Sequence, residues 1–441
     1  MSTLRITEVY RLNDRALLTK IFLAGCKAVN GYKVVSEAVK LDNHYIYIAG
    51  KQYNLHFFKK IFVIGAGKAS FEMARALDNI IGQRIHKGIV ITKYGHGGHL
   101  NHIRVFEASH PLPDANSIKA TKQLINLSKE VDPYTLVIVL LSGGASSLLV
   151  APDGISLANK IKATSLLLKA GASIDELNVV RKHLSLIKGG KLAQIFYPAK
   201  MITLIISDVI GNKLDIIGSG PTVEDSSSPR HAIDIIDRYK LRNKMPAAVL
   251  GRLKDKIGMH EQALKSHVRN IIIADNKKAI HTCKKEAMRS GLEPVVLTTQ
   301  LHGEAKEVAH VLASIACEIK NKKRIKDKKV CIISGGETTV TVNGNGKGGR
   351  NQELALSFAM DINGKGHITL LSAGTDGTDG PTDAAGAIVD ETTINRINQS
   401  GLNPLKYLSN NDSYTILHKV DALLKTGTTG TNVMDIQLIL V

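Results

Sequence analysis

Six consecutive aliphatic residues, Leu136 to Leu141, break without transition into Ser142-Gly143-Gly144-Ala145-Ser146-Ser147. A continuous apolar run predicts a strand buried on both faces, and the small residues after it predict a tight turn. The device recurs along the chain. Ile61 to Ile64 runs into Gly65-Ala66-Gly67-Lys68-Ala69-Ser70, and Cys331 to Ile333 runs into Ser334-Gly335-Gly336-Glu337. Helical apolar spacing follows at Met73, Ala76, Leu77 and Ile80, and again at Leu354, Leu356 and Phe358 after Arg350 opens the pattern. Further strand-like runs lie at 201–206, 271–274, 295–298 and 368–371, alternating with helical patterns. This alternation predicts an α/β chain with largely parallel sheets flanked by helices. Residues 14 to 40 read as an amphipathic helix. The polar, proline-containing break at Ser226 to Arg230 predicts two α/β domains, 1–240 and 241–441.

The 441 residues suffice for two cores, and 44% hydrophobic content marks a globular chain. The apolar runs are far too short to span a bilayer, and no apolar signal core follows the first charged residues, so the expectation is a cytoplasmic protein without a membrane partner. Cys26, Cys283, Cys317 and Cys331 lack CxxC spacing and sit among apolar neighbours, which predicts buried thiols. The net charge of +19 would attract anions. Its lysines are spread along the chain, aromatics are only 4%, and the densest run, Lys320 to Lys329, reads as a solvated helix end, so no nucleic-acid partner is expected.

The small-residue loops carry the candidate chemistry. Glycines let backbone N–H groups approach an anion, and a helix N-terminus adds a positive dipole. Strand, Gly65-Ala66-Gly67 and helix form a nucleotide-type layout, but Ser70 replaces the third glycine of a dinucleotide fingerprint. The second strand ends in Lys93 rather than an acid for a ribose. Lys68 at a helix start opposes the dipole at a cost of about 0.3–1 kcal/mol, which suits a bound anion or, alternatively, a solvated surface lysine. Arg350, behind Gly344, Gly346, Gly348 and Gly349, offers a planar fork for carboxylate or phosphate. Asp208 follows the 201–206 run and is a candidate magnesium ligand or base. Asp376, Asp379 and Asp383, in a Gly-Thr loop, suit a hard cation or a set of Asx turns. The basic segment 178–192 presents Arg181, Lys182, His183 and Lys188, and a lone histidine on a helix is usually structural. Asn432, just before the last strand-like run, suits a base, a substrate or a turn.

These motifs together resemble one family. GAGKAS at Gly65, ASHPLPD at Ala108, SGGASSLL at Ser142 and NVVRKHLSLIKGGKLA at Asn178 are followed by ISDVIGN and IGSGPT from Ile206. SGGETTVTVNGNGKGGRNQE at Ser334, GTDGTDGPTDAAGA at Gly374 and TNVMDIQLIL at Thr431 complete the set. In this order, over nearly the whole chain, they are similar to glycerate 2-kinases with a C-terminal MOFRL domain, a family some of whose members are labelled hydroxypyruvate reductases. The resemblance implies ATP-dependent phosphorylation of D-glycerate at its 2-hydroxyl, with Mg2+, in a cleft between a Rossmann-like N-terminal domain and a C-terminal domain whose MOFRL region spans about 329–436. It implies functional roles for Lys68, Glu337, Arg350, Asp376 and Asn432.

With the loop reading, the expected catalytic set is Lys68, Arg350 and Asp376. Gly65, Gly67, Ser142, Gly143, Gly144, Glu337, Gly349 and Asn432 are expected to bind substrate or nucleotide, and Asp208 and Asp376 the metal. Where the family usually has Asp after SDV-x-G, this chain has Asn212. The competing expectation is an NAD(P)H-dependent hydroxypyruvate reductase, and a homo-oligomer is left open.

Overall fold

The aliphatic runs become interior strands. The computed structural model describes residues 2–258, 267–321 and 328–441, and the chain divides into two packed units. One unit is Gly31–Ile273; the other joins Met1–Asn30 to Ala274–Val441.

In the Gly31–Ile273 unit six strands stand in the order Arg104–Ala108, Ile85–Lys93, Lys60–Ala66, Thr135–Leu141, Lys200–Ile206, Val268–Ala274. Numbered along the chain this is 3-2-1-4-5-6, the doubly wound order of a Rossmann-like sheet. The four pairings among the first five strands are parallel. Phe62, Ile64, Val137, Val139, Met201 and Ile205 fill its interior with almost no exposure. Each such side chain contributes about 1.5–3 kcal/mol on burial. Helix Ser70–Ile81 buries Met73, Ala76 and Leu77. Helix Ile174–His183 is fixed at its start by a capping box, Ser173 with Glu176. A small antiparallel sheet, Val39–Leu41, Tyr45–Ile48 and Lys51–Asn54, precedes the main one.

The expected boundary at 240 is displaced for a physical reason. Helices Pro229–Arg238 and Ala247–Asp255, beyond the polar break, bury Ile235, Ile236, Val249 and Leu253 among Ala163, Leu167 and Val180. Strand Val268–Ala274 then completes the first sheet. The amino-terminal stretch goes the other way. It is broken at Val29 and Asn30 into helices Ser2–Ala28 and Gly31–Ala38, and the first packs on helix Asn276–Arg289.

The other unit departs from the parallel expectation. Its strands are ordered Glu293–Leu301, Val330–Gly336, Asp435–Leu440, Thr369–Gly374, Gly386–Asp390, Leu423–Leu424. Only the first pair is parallel. The last long strand, Asp435–Leu440, is inserted antiparallel between Val330–Gly336 and Thr369–Gly374. Its first residue therefore meets the carboxyl ends of both neighbours: Asp435 is in register with Gly336 on one side and Gly374 on the other. Most of the basic run at 320–329 lies outside the described residues. Among the described residues no helix is long and apolar enough to cross a membrane.

Candidate active site

The order of the first sheet reverses between Lys60–Ala66 and Thr135–Leu141, and ligands of open α/β sheets bind outside the carboxyl ends at such a point. The two loops leaving these strands are laced together. Lys68 N–H donates to Gly143 O at 2.8 Å, and Ala69 N–H donates to Ser142 Oγ at 3.0 Å. Gly67, at φ 136°, has no room for a side chain, since a Cβ would stand 2.1 Å from Ser142 Oγ. A Cβ on Gly65 would likewise stand 2.4 Å from Leu140 O. Among the described residues the N–H groups of Gly143 and Gly144 have no protein acceptor. Gly144, at φ 84°, borders both the Lys68 side chain and the His110 ring. His110, in the ASHPLPD motif, therefore belongs to this neighbourhood.

Asp208 follows strand Lys200–Ile206 and is half-buried. Asn212 has a left-handed backbone, φ 56°, directly after Gly211 at φ 77°, and its N–H donates to Val209 O at 3.0 Å. Asparagine tolerates that conformation better than most residues, so its position has the geometry of a turn. Among the described residues no three His, Cys, Asp or Glu side chains converge as a metal cage.

In the other unit the antiparallel insertion builds the Arg350 centre. Arg350 opens helix Arg350–Ile362 and grips Asp435 in two-point fashion, with Nε to Oδ2 at 2.6 Å and Nη2 to Oδ1 at 2.8 Å. Its Nη1 meets Glu337 Oε1 at 2.7 Å. Burial alone would lower the pKa of this guanidinium, but Asp435 and then Glu337 outweigh it and hold the group above its ordinary value. The fork expected to face a substrate is thus held by the chain's own carboxylates. Among the described residues three of the five guanidinium N–H groups are engaged, and one remains on each Nη. The side chains of Asp435, Arg350 and Glu337 are 0%, 31% and 41% exposed, so Asp435 is the fixed partner and Glu337 the exchangeable one.

The anion expected at this helix start is also internal. Asp379 accepts from Gln352 N–H at 2.9 Å, Asn351 N–H at 3.2 Å and Gln352 Nε2 at 3.0 Å. Gly349 is needed because a Cβ there would stand 2.3 Å from the Asp379 carboxyl carbon. It makes room for a side chain rather than for a substrate. Burial pushes the Asp379 pKa up to about 6, helped by the charge of Asp435, while the Gln352 N–H, Arg350 and the Asn351 N–H pull it down. The glycine loop before it is likewise filled from within. Backbone N–H groups of Asn343 and Gly344 donate to Asn411 Oδ1, that of Asn345 to Asn410 Oδ1, that of Gly346 to Asn410 O, and that of Lys347 to Asp412 Oδ1.

Asp376 is buried and accepts from Thr378 N–H at 3.0 Å. Asn432 Oδ1 accepts weakly from Met434 N–H at 3.4 Å. The two loops are tied by Thr375, whose Oγ1 donates to Met434 O at 2.6 Å and accepts from Val433 N–H at 2.9 Å. Asn276, unremarked in the sequence, donates to Val433 O and Asp435 O at 2.9 and 3.0 Å and so fixes the start of the inserted strand. Sequence reasoning missed Asp435 as a site residue, although TNVMDIQLIL contains it; its one signal is a lone acid opening a strand that is apolar apart from Gln437.

Residues 17–254 match the model of a domain of unknown function, DUF4147, and residues 330–435 match the MOFRL family. A D-glycerate 2-kinase of Thermotoga maritima is 44% identical over 86% of this chain and 89% of its own. A protein of Agrobacterium vitis named putative hydroxypyruvate reductase is 43% identical over 86% of this chain and 98% of its own. A crystal structure of a glycerate kinase from Thermotoga maritima superposes with a TM-score of 0.83 at 40% identity, covering 97% of this chain and 99% of that one. With its DUF4147 and MOFRL domains in order and such relatives along nearly its full length, this chain belongs to the glycerate 2-kinase family.

Proposed function

We infer that the protein transfers the γ-phosphoryl group of ATP to the 2-hydroxyl of D-glycerate, releasing ADP and 2-phosphoglycerate. The observation that carries this is the 44% identity to a D-glycerate 2-kinase over most of both chains. The chemistry of the residues agrees with it. Phosphoryl transfer asks a protein for positioning and for neutralisation of charge on the moving group rather than for covalent chemistry. Lys68, at the switch point of the first sheet, supplies a cation beside the open N–H groups of Gly143 and Gly144. Arg350, held rigid by Asp435, presents its two remaining N–H groups to a phosphoryl oxygen. Glu337 keeps the guanidinium aligned and is the partner that yields when an oxyanion arrives.

A magnesium ion would accompany the nucleotide. Such ions are held by phosphate oxygens, water and one or two carboxylates, so a three-acid cage is not required. Asp208 and Asp376 are the carboxylates we put forward, and the ion supplies further charge neutralisation on the phosphates. The four free thiols and the two substrates suit the cytoplasm.

Hydride transfer is disfavoured by the loop itself. The third fingerprint position is Ser70, whose buried hydroxyl donates to Gly67 O and Ile91 O, and the second strand ends in Lys93. The test is to incubate the purified protein with D-glycerate and MgATP, and separately with hydroxypyruvate and NADH. ADP release that requires glycerate and stops on chelation of magnesium is expected, with no NADH oxidation. NADH consumption without ADP release overturns the reading.

A further inference from the structure

The basic segment of the first unit holds cations that its own acids do not reach. Lys182 Nζ lies 3.4 Å from both Asp215 and Asp225, and His183 lies 3.8 Å from Asp225 and 3.0 Å from Ser227 Oγ. Arg252 and Lys256 both pair with Asp153. The acids of this neighbourhood are therefore taken. Among the described residues Arg181 and Lys188 are left without one.

Lys188 is 1% exposed, and among the described residues its ammonium donates only to Gly218 O at 3.1 Å. Arg181 is half-buried, and its guanidinium makes no hydrogen bond or ion pair among the described residues. Burial, together with the charges of Lys160 and Arg181, pulls the Lys188 pKa well below its usual value. Sequestering two neighbouring cations with unfilled donors is unfavourable unless an anion completes them.

The surrounding groups form a site rather than an accident of packing. Asn178 stands one helical turn before Arg181 and is 2% exposed; its Oδ1 accepts from Ser219 Oγ at 2.8 Å, while its amide nitrogen donates to no described group. Ser219 Oγ in turn lies 2.8 Å from Ser146 Oγ, inside the loop that follows strand Thr135–Leu141. Donors from one helix, the Lys188 turn and the switch-point loop therefore share one place.

We propose that Arg181, Lys188 and Asn178 form an oxyanion subsite beside the Ser142–Ser147 loop, and that it takes the carboxylate of glycerate. The inference rests on the kinase reading and deepens it. The hydroxyl on C2 is the one attached next to the carboxylate carbon, so anchoring the carboxylate here fixes that hydroxyl near the loop while the 3-hydroxyl lies one carbon further away. The subsite is thus a determinant of which hydroxyl reacts.

The test is isothermal titration of D-glycerate, and separately of ATP, into the full-length protein and its Lys188→Met and Arg181→Gln variants. Losing a charge-assisted contact should weaken D-glycerate binding roughly 10- to 100-fold in each and leave ATP binding unchanged. The ligand-free Tm of Lys188→Met should equal or exceed that of the parent, since a buried cation has been removed. Unaltered D-glycerate affinity in both variants overturns the proposal, and so does a loss confined to ATP. If Lys188→Met does not fold, Arg181→Gln, at a partly exposed position, decides alone. Turnover of D-glycerate by the unmodified protein separates the two levels. Its absence removes the kinase reading, whereas normal turnover with unaffected variants removes only the subsite.

Discussion

Two glycine-rich regions of this chain have nearly the same composition and different surroundings. In the pair 65–70 and 142–147, the glycines let two loops cross at the end of a parallel sheet, and among the described residues the N–H groups of Gly143 and Gly144 stay open. In the loop 344–349, the glycines let the chain lie against Asn410, Asn411, Asp412 and Asp379, and the first three accept from the N–H groups of residues 344–347. Glycine reports that something approaches closely. Whether that is a ligand, a backbone or a side chain depends on partners that can lie some 65 residues away, as with Lys347 and Asp412.

The largest effect should come from the residue where the filled loop ends. Arg350→Lys keeps the charge but cannot hold both oxygens of Asp435 with a planar fork. Turnover should fall on the order of 10³-fold, nearly as far as in Arg350→Ala. Steady-state kinetics at saturating substrates checks this, and near-normal turnover in Arg350→Lys would show that charge alone suffices.

The comparison itself is sharpened by a pair of glycine replacements. Gly67→Ala forces a Cβ into Ser142 and misplaces Lys68, so turnover should drop by about 10²-fold. Gly346→Ala drives a Cβ to within 2.4 Å of Asp412 Cβ, so it should cost about 1–3 kcal/mol of stability while the folded fraction keeps most of its turnover. Kinetics and denaturant titration of both variants decide it. If Gly346→Ala loses turnover without stability, the second loop also serves a ligand.

Asp379 provides a pH test. Its folded pKa, about 6, lies above the ordinary carboxylate value of 3.8, so the native state binds the proton more tightly than the unfolded chain does. Its contribution to stability is therefore greatest below about pH 4 and is lost as pH rises through 6, by up to roughly 3 kcal/mol. Asp379→Asn lacks this dependence, so its stability relative to the parent should rise between pH 4 and pH 7. A constant difference between the two proteins over that range would place the proton elsewhere. The smallest effect is expected at the left-handed turn: Asn212→Asp should change stability by no more than about 0.5 kcal/mol and leave the magnesium dependence of turnover unaltered.

The first sheet was legible because its strands are buried on both faces and so appear as unbroken aliphatic runs, Ile61 to Ile64 and Leu136 to Leu141 among them. The position of Lys68 and of Ser142 to Gly144 at strand ends was legible for the same reason, as each follows such a run. The alternation of Tyr45 to Ile48, whose isoleucines are buried and tyrosines half-buried, was a usable strand signal that went unread. Two features lay beyond local reading. Nothing in Asp435–Leu440 says that it enters between two distant strands, and that insertion alone brings Asp435 to Arg350. Nothing local to Gly349 says that Asp379 lies over it.

The most direct measurement of the central claim is the identity of the phosphorylated product. Purified enolase added to the reaction with D-glycerate and MgATP, without a mutase, should convert the product at once, because the phosphoryl group is on the 2-hydroxyl. A product that enolase accepts only after mutase treatment would contradict the account, since the 3-hydroxyl would then be the acceptor.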